Sequence, residues 1–253
     1  MKRAPVLIYG AFCYAVFLAV FLYAIGFIGN FAVPKSMDSP REVSLAWALT
    51  VDLAVLALFA VQHSVMARPA FKRWWTRFVP VHAERSTYVL FSSLALIVLF
   101  WFWQPVGGGI WSVTSPVGKA IVYSLYGIGW ALLLYSTFLI NHFDLFGLRQ
   151  VWLHATGKPY TQLQFKTPWL YRQVRHPLYV GWLMIFWATP VMTATHLLFA
   201  VMTTAYILLA IPFEERDLIE VHPEYAAYRQ AVPMLLPMGR KPAVNAAAQR
   251  ATE

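Results

Sequence analysis

Charged side chains are scarce in this chain: Asp, Glu, Lys and Arg make up 12% of its residues, whereas hydrophobic residues make up 59%. Soluble proteins carry roughly a quarter charged residues, so the composition excludes an ordinary soluble domain. Cysteine is nearly absent as well, because Cys13 is the only one in the sequence, and it lies inside an apolar run. A single cysteine excludes an internal disulfide. The sequence therefore predicts a membrane protein without internal covalent cross-links.

The apolar residues come in blocks close to the roughly 20 residues that a helix needs to cross a bilayer. These blocks predict four full spans and then a C-terminal helical hairpin with two shorter arms, at 5–29, 44–65, 87–104, 119–140, 178–190 and 195–211. The first run is too long for a signal peptide, so we expect it to be retained as a span. The predicted fold class is all-α, a polytopic membrane bundle in one domain at 1–239, with a disordered tail at 240–253.

Acidic residues are too few to balance the basic ones, which leaves a net charge of +9. The excess lies in loops 66–87 and 141–177, whereas loop 30–43 is balanced and loop 105–118 carries no charge. Cytoplasmic loops of membrane proteins are rich in Lys and Arg. We therefore predict that loops 66–87 and 141–177 and both termini are cytoplasmic. The positive charge is thus explained by membrane topology, so nucleic acid is not an expected partner. Membrane lipid is an expected partner because of the predicted spans.

Two polar motifs flank the hairpin. The run 175–181 reads Arg-His-Pro-Leu-Tyr-Val-Gly, and Glu214-Glu215 follows the second arm. Proline is well tolerated in the first turn of a helix, so we predict that the first arm begins at Pro177. The topology then brings both motifs to the cytoplasmic end of one hairpin. Ionisable groups at a membrane hairpin are costly, which makes them functional candidates.

An ordered set of motifs continues to residue 237: Glu-Glu-x-x-Leu, Tyr-x-x-Tyr, and Val232-Pro233 with a later proline. Together with the 175–181 run, this set resembles the donor-binding end of the integral-membrane methyltransferases related to isoprenylcysteine carboxyl methyltransferase. The resemblance implies S-adenosylmethionine as the methyl donor. It implies a set of cofactor-binding residues: Tyr171, Arg175, His176, Pro177, Leu178, Tyr179, Gly181, Glu214, Glu215, Tyr225 and Tyr228.

The residue types in this set suit that cofactor. Aromatic faces and carboxylates stabilise a sulfonium, by about 0.5–2 kcal/mol for each cation–π contact. The free N–H groups where the first arm begins suit the carboxylate of the amino-acid end. One departure lies upstream, where many relatives have Gly-Pro-Tyr and this chain has Thr-Pro-Trp-Leu-Tyr at 167–171. Taken alone, Glu214-Glu215 is also typical of a solvated helix end, and the tyrosines are also typical of an interfacial belt.

A second signature lies at the end of the fourth span, where residues 141–150 read Asn-His-Phe-Asp-Leu-Phe-Gly-Leu-Arg-Gln. With Gln-His-Ser at 62–64 and Glu-Arg-Ser-Thr-Tyr at 84–88, it is similar to the bacterial methanethiol S-methyltransferases over essentially the whole chain. That resemblance implies a small thiol substrate, either methanethiol or hydrogen sulfide and other small thiols. It also implies a bacterial cell membrane.

Three residues of this signature, His142, Asp144 and Arg149, are the catalytic candidates. A thiol attacks far better as a thiolate, so a nearby base or cation favours the reaction. Residues two apart on a continuing helix point about 200° apart, so His142 and Asp144 converge only if the helix has ended by Asn141. The alternative is that Asp144 pairs with Arg149 or Arg85 to hold the cytoplasmic cap together. For the polar residues of 62–64 and 84–88, structural hydrogen bonding is the first expectation and pocket lining the second.

No metal site is predicted, because the seven histidines show no pair at helical ligand spacing. Gly127 and Gly129 lie within a span without a preceding strand, which indicates helix packing rather than a nucleotide loop. Two other kinds of function stay open from the residues alone. One is a methyltransferase for an isoprenylcysteine carboxylate or a lipid amine, and the other is a non-enzymatic membrane protein.

Overall fold

The computed structural model describes residues 3–40 and 42–238; the tail predicted at 240–253 lies outside the described residues. Within these ranges the regular elements are helices, apart from one small antiparallel sheet. The elements in chain order are α1 (Arg3–Gly29), α2 (Leu45–Ala67), α3 (Pro69–Trp75), α4 (Val81–Phe102), β1 (Gly109–Ser112), α5 (Pro116–Ile140), α6 (His142–Leu145), α7 (Leu148–Ala155), α8 (Pro177–Trp187), β2 (Val191–Thr193), α9 (Ala194–Val221) and α10 (Tyr225–Ala231).

Five helices of the described part, α1, α2, α4, α5 and α9, are long and apolar enough to cross a membrane. The predicted all-α membrane bundle is thus confirmed. Three of these helices begin at a hydroxyl side chain that accepts a hydrogen bond from a first-turn N–H, namely Ser44, Ser115 and Thr193. Such caps satisfy a backbone donor that has no partner inside the helix, and so they fix where each span starts.

The two arms of the hairpin differ greatly in length. Helix α8 has 11 residues and begins at Pro177, as predicted. Helix α9 has 28 residues and continues ten residues beyond the predicted end at 211. The charged residues after 211 ended the apolar pattern, but three of them, Glu214, Glu215 and Asp217, find partners on other elements, as in the 2.7 Å ion pair of Arg68 with Asp217. The helix therefore continues where hydropathy alone indicates an end.

The connections are more ordered than the sequence indicated. Helices α3 and α7 lie in loops for which no helix was predicted. At the opposite end of the bundle, β1 and β2 pair in antiparallel fashion and join the glycine-rich loop to the hairpin turn. The Thr195 hydroxyl accepts hydrogen bonds from the N–H groups of Val106 and Gly107, both at 2.9 Å, and Thr193 donates to Asp38. This network closes the end of the bundle that is remote from the polar motifs.

Helices α5 and α8 pack closely because glycine replaces a side chain at their crossing. A Cβ atom added to Gly181 would lie 2.8 Å from the backbone nitrogen of Leu133 and 2.9 Å from the carbonyl oxygen of Gly129. A Cβ on Gly127 would meet nothing within 4 Å. The packing role predicted for this glycine pair thus applies to Gly129. The contact fixes α8, and with it the hairpin, against the fourth span.

Candidate active site

A buried carboxylate organises the polar end of the hairpin. Glu215 is only 2% exposed, and its Oε1 atom accepts hydrogen bonds from Arg175 Nε at 2.6 Å and His176 Nε2 at 3.0 Å. Its Oε2 atom lies 2.9 Å from Arg229 Nε. These four residues form the Glu215 cluster. A buried charge is tolerated only when it is paired and hydrogen-bonded, and here three side chains from two other segments supply the partners.

The turn before α8 is also held through its backbone. The N–H groups of Arg175 and His176 donate to the carbonyl oxygens of Pro233 and Met234, at 2.9 and 3.2 Å. Arg175 Nη1 donates in addition to the carbonyl oxygen of Val232 at 2.5 Å. The segment after α10 therefore lies alongside the start of α8. This pairing gives a physical reason for the Val232-Pro233 motif that follows the tyrosines in the sequence.

Glu214 has different surroundings from its neighbour. Successive helical residues point about 100° apart, so the two carboxylates face different sides of α9. The Tyr179 hydroxyl donates to Glu214 Oε2 at 2.7 Å, and Glu214 remains partly exposed. No cation is paired with Glu214 in the described part of the chain, whereas Glu215 is neutralised. Glu214 is thus the carboxylate that is available to a cationic ligand.

The remaining tyrosines form a wall beside the Glu215 cluster. Tyr228 donates to the carbonyl oxygen of Tyr171 at 2.5 Å, and the ring of Phe165 lies 5.7 Å from Tyr225 and 5.4 Å from Tyr228. Burial raises the pKa of Tyr171, Tyr225 and Tyr228, with the nearby Glu215 carboxylate adding to the rise for the latter two. All three hydroxyls therefore stay neutral near pH 7 and can donate hydrogen bonds.

The other three predicted cofactor-binding residues, Pro177, Leu178 and Gly181, lie in the packing that positions the hairpin. Pro177 is buried and opens α8, Leu178 packs against the hydrophobic core, and Gly181 lies in the contact with α5. The structure therefore brings eight of the predicted residues to one polar end and places these three in the packing that orients it.

The His142 side chain is buried, and both of its ring nitrogens have hydrogen-bond partners. Helix α5 ends at Ile140, and the Asn141 side chain caps the short helix α6 by accepting from Asp144 N at 3.0 Å. His142 Nε2 lies 2.8 Å from the Tyr14 hydroxyl and Nδ1 lies 2.8 Å from Thr137 Oγ1. Burial lowers the pKa of His142, so the ring is neutral near pH 7.

Asp144 pairs with Arg149 at 2.8 Å rather than with His142. Arg149 also donates to the carbonyl and hydroxyl oxygens of Thr161, at 2.9 and 2.7 Å, and its guanidinium lies over the ring of Tyr160. The helix end required for convergence of the two residues is present, but the contacts are those of the alternative prediction. The pair ties the start of the segment 141–177 to its middle, because Arg149 bonds both Asp144 and Thr161.

Sequence reasoning missed several residues that complete these networks. Arg229 follows the Tyr-x-x-Tyr motif directly, and its position one residue after Tyr228 was the only available signal. Phe165, Tyr14 and Thr137 lie in segments whose composition is typical of membrane helices and loops, so no local pattern distinguished them. Among residues 3–40 and 42–238, no group of three or more His, Cys, Asp or Glu side chains is arranged to hold a metal ion.

Long spanning helices and a neutralised ionic cluster at one end of a hairpin define an integral-membrane protein with a polar site at one end of its helical bundle. The chain is 58% identical to a methanethiol S-methyltransferase from Crocosphaera subtropica, over 95% of both chains. It is 54% identical to one from Mycobacterium tuberculosis, over 94% of this chain and 98% of that protein. The chain belongs to the methanethiol S-methyltransferase family, as the sequence signatures predicted, and is a membrane-bound methyltransferase.

A more distant similarity extends beyond bacteria. Nurim from Rattus norvegicus is 33% identical over 72% of this chain and 70% of its own length. No protein-family model and no solved structure matches the chain.

Proposed function

We propose that this protein transfers a methyl group from S-adenosylmethionine to methanethiol, forming dimethyl sulfide and S-adenosylhomocysteine. The observation that carries the proposal is the contrast between two adjacent carboxylates at the hairpin. Glu215 is neutralised by the cluster around it, whereas Glu214 is partly exposed and bonded only to a tyrosine hydroxyl. The names of the relatives supply the thiol substrate.

The residues of the hairpin fit the parts of the donor. S-adenosylmethionine supplies a methyl group on a sulfonium, which carries a positive charge and is attracted to carboxylates and aromatic faces. Glu214 and Tyr179 present such groups beside the start of α8. His176 makes no side-chain cap there, so the first-turn N–H groups can bind a carboxylate. The Glu215 cluster holds Arg175 and His176 in place and thereby fixes the orientation of this helix end.

The methyl-transfer step depends on the positioning of the two reactants more than on covalent catalysis. The thiol sulfur must lie in line with the sulfonium–methyl bond, and holding reactants in that geometry is worth several orders of magnitude in rate. The neutral tyrosines and the apolar hairpin exclude water around the reacting atoms. In this proposal Asp144 and Arg149 hold the cap at 141–161, and His142 anchors it to α1 and α5. A direct base role for His142 or Asp144 stays a prediction.

The proposed topology determines from which side the donor and the thiol reach the site. The proposal places both termini and the polar end of the hairpin in the cytoplasm of a bacterial cell, on the side with the positive loops. A charged, water-soluble donor then arrives from the cytoplasm. A small neutral thiol partitions into the membrane, so it can also approach between the helices.

The test is a sealed-vial assay of the detergent-purified protein with S-adenosylmethionine and methanethiol, in which dimethyl sulfide is measured in the headspace. We expect product from the parental protein and a loss of at least ~10-fold for Glu214→Ala, since a lost charge contact costs on the order of 1.5–3 kcal/mol. Glu220→Ala is the matched control, because that side chain is 58% exposed on the same helix. Donor binding by calorimetry without any dimethyl sulfide would contradict the thiol and favour a lipid or carboxylate acceptor.

A further inference from the structure

A short helical segment with exposed aromatic and basic side chains connects α2 to α4. Its helix α3 ends at Trp75, and backbone hydrogen bonds continue the helical turn as far as residue 79. We call residues 69–79 the linking segment. Arg68, which directly precedes it, forms the 2.7 Å ion pair with Asp217 of α9. The linking segment therefore lies at the same end of the bundle as the Glu215 cluster.

One row of side chains anchors the linking segment to the bundle. Phe71 and Trp75 are four residues apart, so they lie on the same side of the helix. Both pack against a core cluster of α2 and α4 that consists of Met66, Tyr88 and Val89. This contact fixes the rotation of the segment about its own axis, and it thereby determines which of the other side chains face outwards.

A second row, formed by Trp74 and Phe78, faces away from that core. Trp74 is 48% exposed and Phe78 is 69% exposed, and their ring centres lie 5.5 Å apart. Aromatic side chains that flank spanning helices are enriched at the level of the lipid headgroups, because one part of the membrane boundary is apolar and the other is wet. This aromatic row therefore suits the boundary between headgroups and acyl chains.

A third row, formed by Arg73 and Arg77, is exposed beside the aromatic row. Its direction differs from that of the aromatic row by about 100°, since successive helical residues are turned by that angle. Within residues 3–40 and 42–238, neither arginine is paired with a carboxylate. The sequence also contains no Asp or Glu from 53 to 83. Two exposed cations without an acidic partner are thus available to an external anion.

We propose that the linking segment binds the headgroup of an anionic phospholipid. The guanidiniums of Arg73 and Arg77 donate hydrogen bonds to the lipid phosphate, whose oxygens match their planar fork of N–H groups. The rings of Trp74 and Phe78 lie beside the first carbons of the acyl chains. A zwitterionic lipid carries a cationic group next to the same phosphate, so the two arginines attract its headgroup less. The aromatic row favours a lipid over a free phosphate ion, which has no apolar part to cover it.

The experiment titrates the detergent-purified protein with phosphatidylglycerol and, separately, with phosphatidylcholine, and counts bound lipid by native mass spectrometry. The test variant combines Arg73→Gln with Arg77→Gln. The matched control combines Lys158→Gln with Lys166→Gln, which removes two exposed cations from another loop and changes the net charge equally. We expect the test variant to bind phosphatidylglycerol about 30-fold more weakly, equivalent to about 1 kcal/mol for each basic residue near an anionic lipid. The control should change this affinity less than about 3-fold, because salt screens distant exposed charges.

Thermal unfolding gives a second readout. A ligand that binds the native state stabilises it, so phosphatidylglycerol should raise the Tm of the parental protein and of the control. The test variant should lose this rise in Tm.

Three outcomes would overturn the inference. Equal weakening in the control means that net charge alone explains the binding, and unchanged affinity in the test variant means that the lipid binds elsewhere. Displacement of phosphatidylglycerol by inorganic phosphate at matched ionic strength indicates a site for a free anion. If the test variant fails to fold, Trp74→Ala decides: weaker binding of phosphatidylglycerol supports the inference, and unchanged binding overturns it. These measurements contain neither donor nor thiol, so their outcome is independent of the proposed methyl transfer.

Discussion

Removal of the Glu215 carboxylate tests whether that residue is structural or a ligand of the donor. In Glu215→Ala, Arg175 Nε and His176 Nε2 lose their carboxylate acceptor, although these side chains are only 11% and 6% exposed. Breaking a buried ion pair by deleting one partner costs about 3–5 kcal/mol, because the other charge is left without compensation. Arg229 adds little to this cost, since its side chain is 48% exposed and solvent screens it.

The lower end of that range corresponds to a fall in Tm of roughly 6–12 °C for a chain of this size. The measurement is thermal unfolding of the detergent-purified protein, followed by loss of the monodisperse peak in size-exclusion chromatography. Glu220→Ala, which removes an exposed carboxylate from the same helix, is expected to leave Tm within about 1 °C. Donor binding should fall together with stability, because the turn before α8 loses its support.

One result would refute this reasoning. If Glu215→Ala unfolds at the parental temperature and still loses donor binding, Glu215 contacts the donor and does not hold the turn. Glu215→Gln separates charge from volume, since it keeps the side-chain shape and one acceptor oxygen but carries no negative charge. Its Tm should lie between those of Glu215→Ala and the parental protein.

The remaining predictions concern helix packing and the cap. Gly181→Ala should lower stability by about 1–3 kcal/mol, because the new Cβ would meet backbone atoms of α5. Gly127→Ala should be neutral or stabilising by up to about 1 kcal/mol, because its Cβ would meet nothing. Thermal unfolding of both variants checks these values. Asp144→Ala should lower turnover by roughly 10–100-fold through loss of positioning, with donor binding by calorimetry nearly unchanged. Equal loss of turnover and binding in that variant would place Asp144 in the donor site instead.

The spans and the start of the hairpin were predictable because they depend on local properties. Hydropathy blocks mark α1, α2, α4 and α5, and Pro177 marks the first turn of α8. The end of α9 was not predictable in this way. Half of its last ten residues are charged, which interrupts the apolar pattern. Their helical state depends on partners such as Arg68, which lies about 150 residues away in sequence and adjacent in space only after folding.

The contacts of the candidate site were likewise only partly predictable from the sequence. The motif order predicted that Arg175, His176 and Glu215 meet, since topology alone brings both ends of the hairpin together. Which of two neighbouring carboxylates is neutralised, and which stays accessible, depends on side-chain direction around α9 and on Arg229 from the next helix. No motif encodes that choice, because it is made by contacts between separate elements.

The length of α9 bears on how the donor enters the protein and how the products leave it. Its 28 residues extend about 42 Å, while the hydrocarbon core is only about 30 Å thick. When the start of α9 lies at one boundary of that core, Glu214 and Glu215 lie about 30 Å along the helix, at the opposite boundary, where water and hydrocarbon meet. In the proposed reaction, a polar donor and its spent form exchange with the aqueous side from this depth, whereas a volatile, apolar product leaves into the bilayer. Separate exits of this kind would keep one product from obstructing the departure of the other.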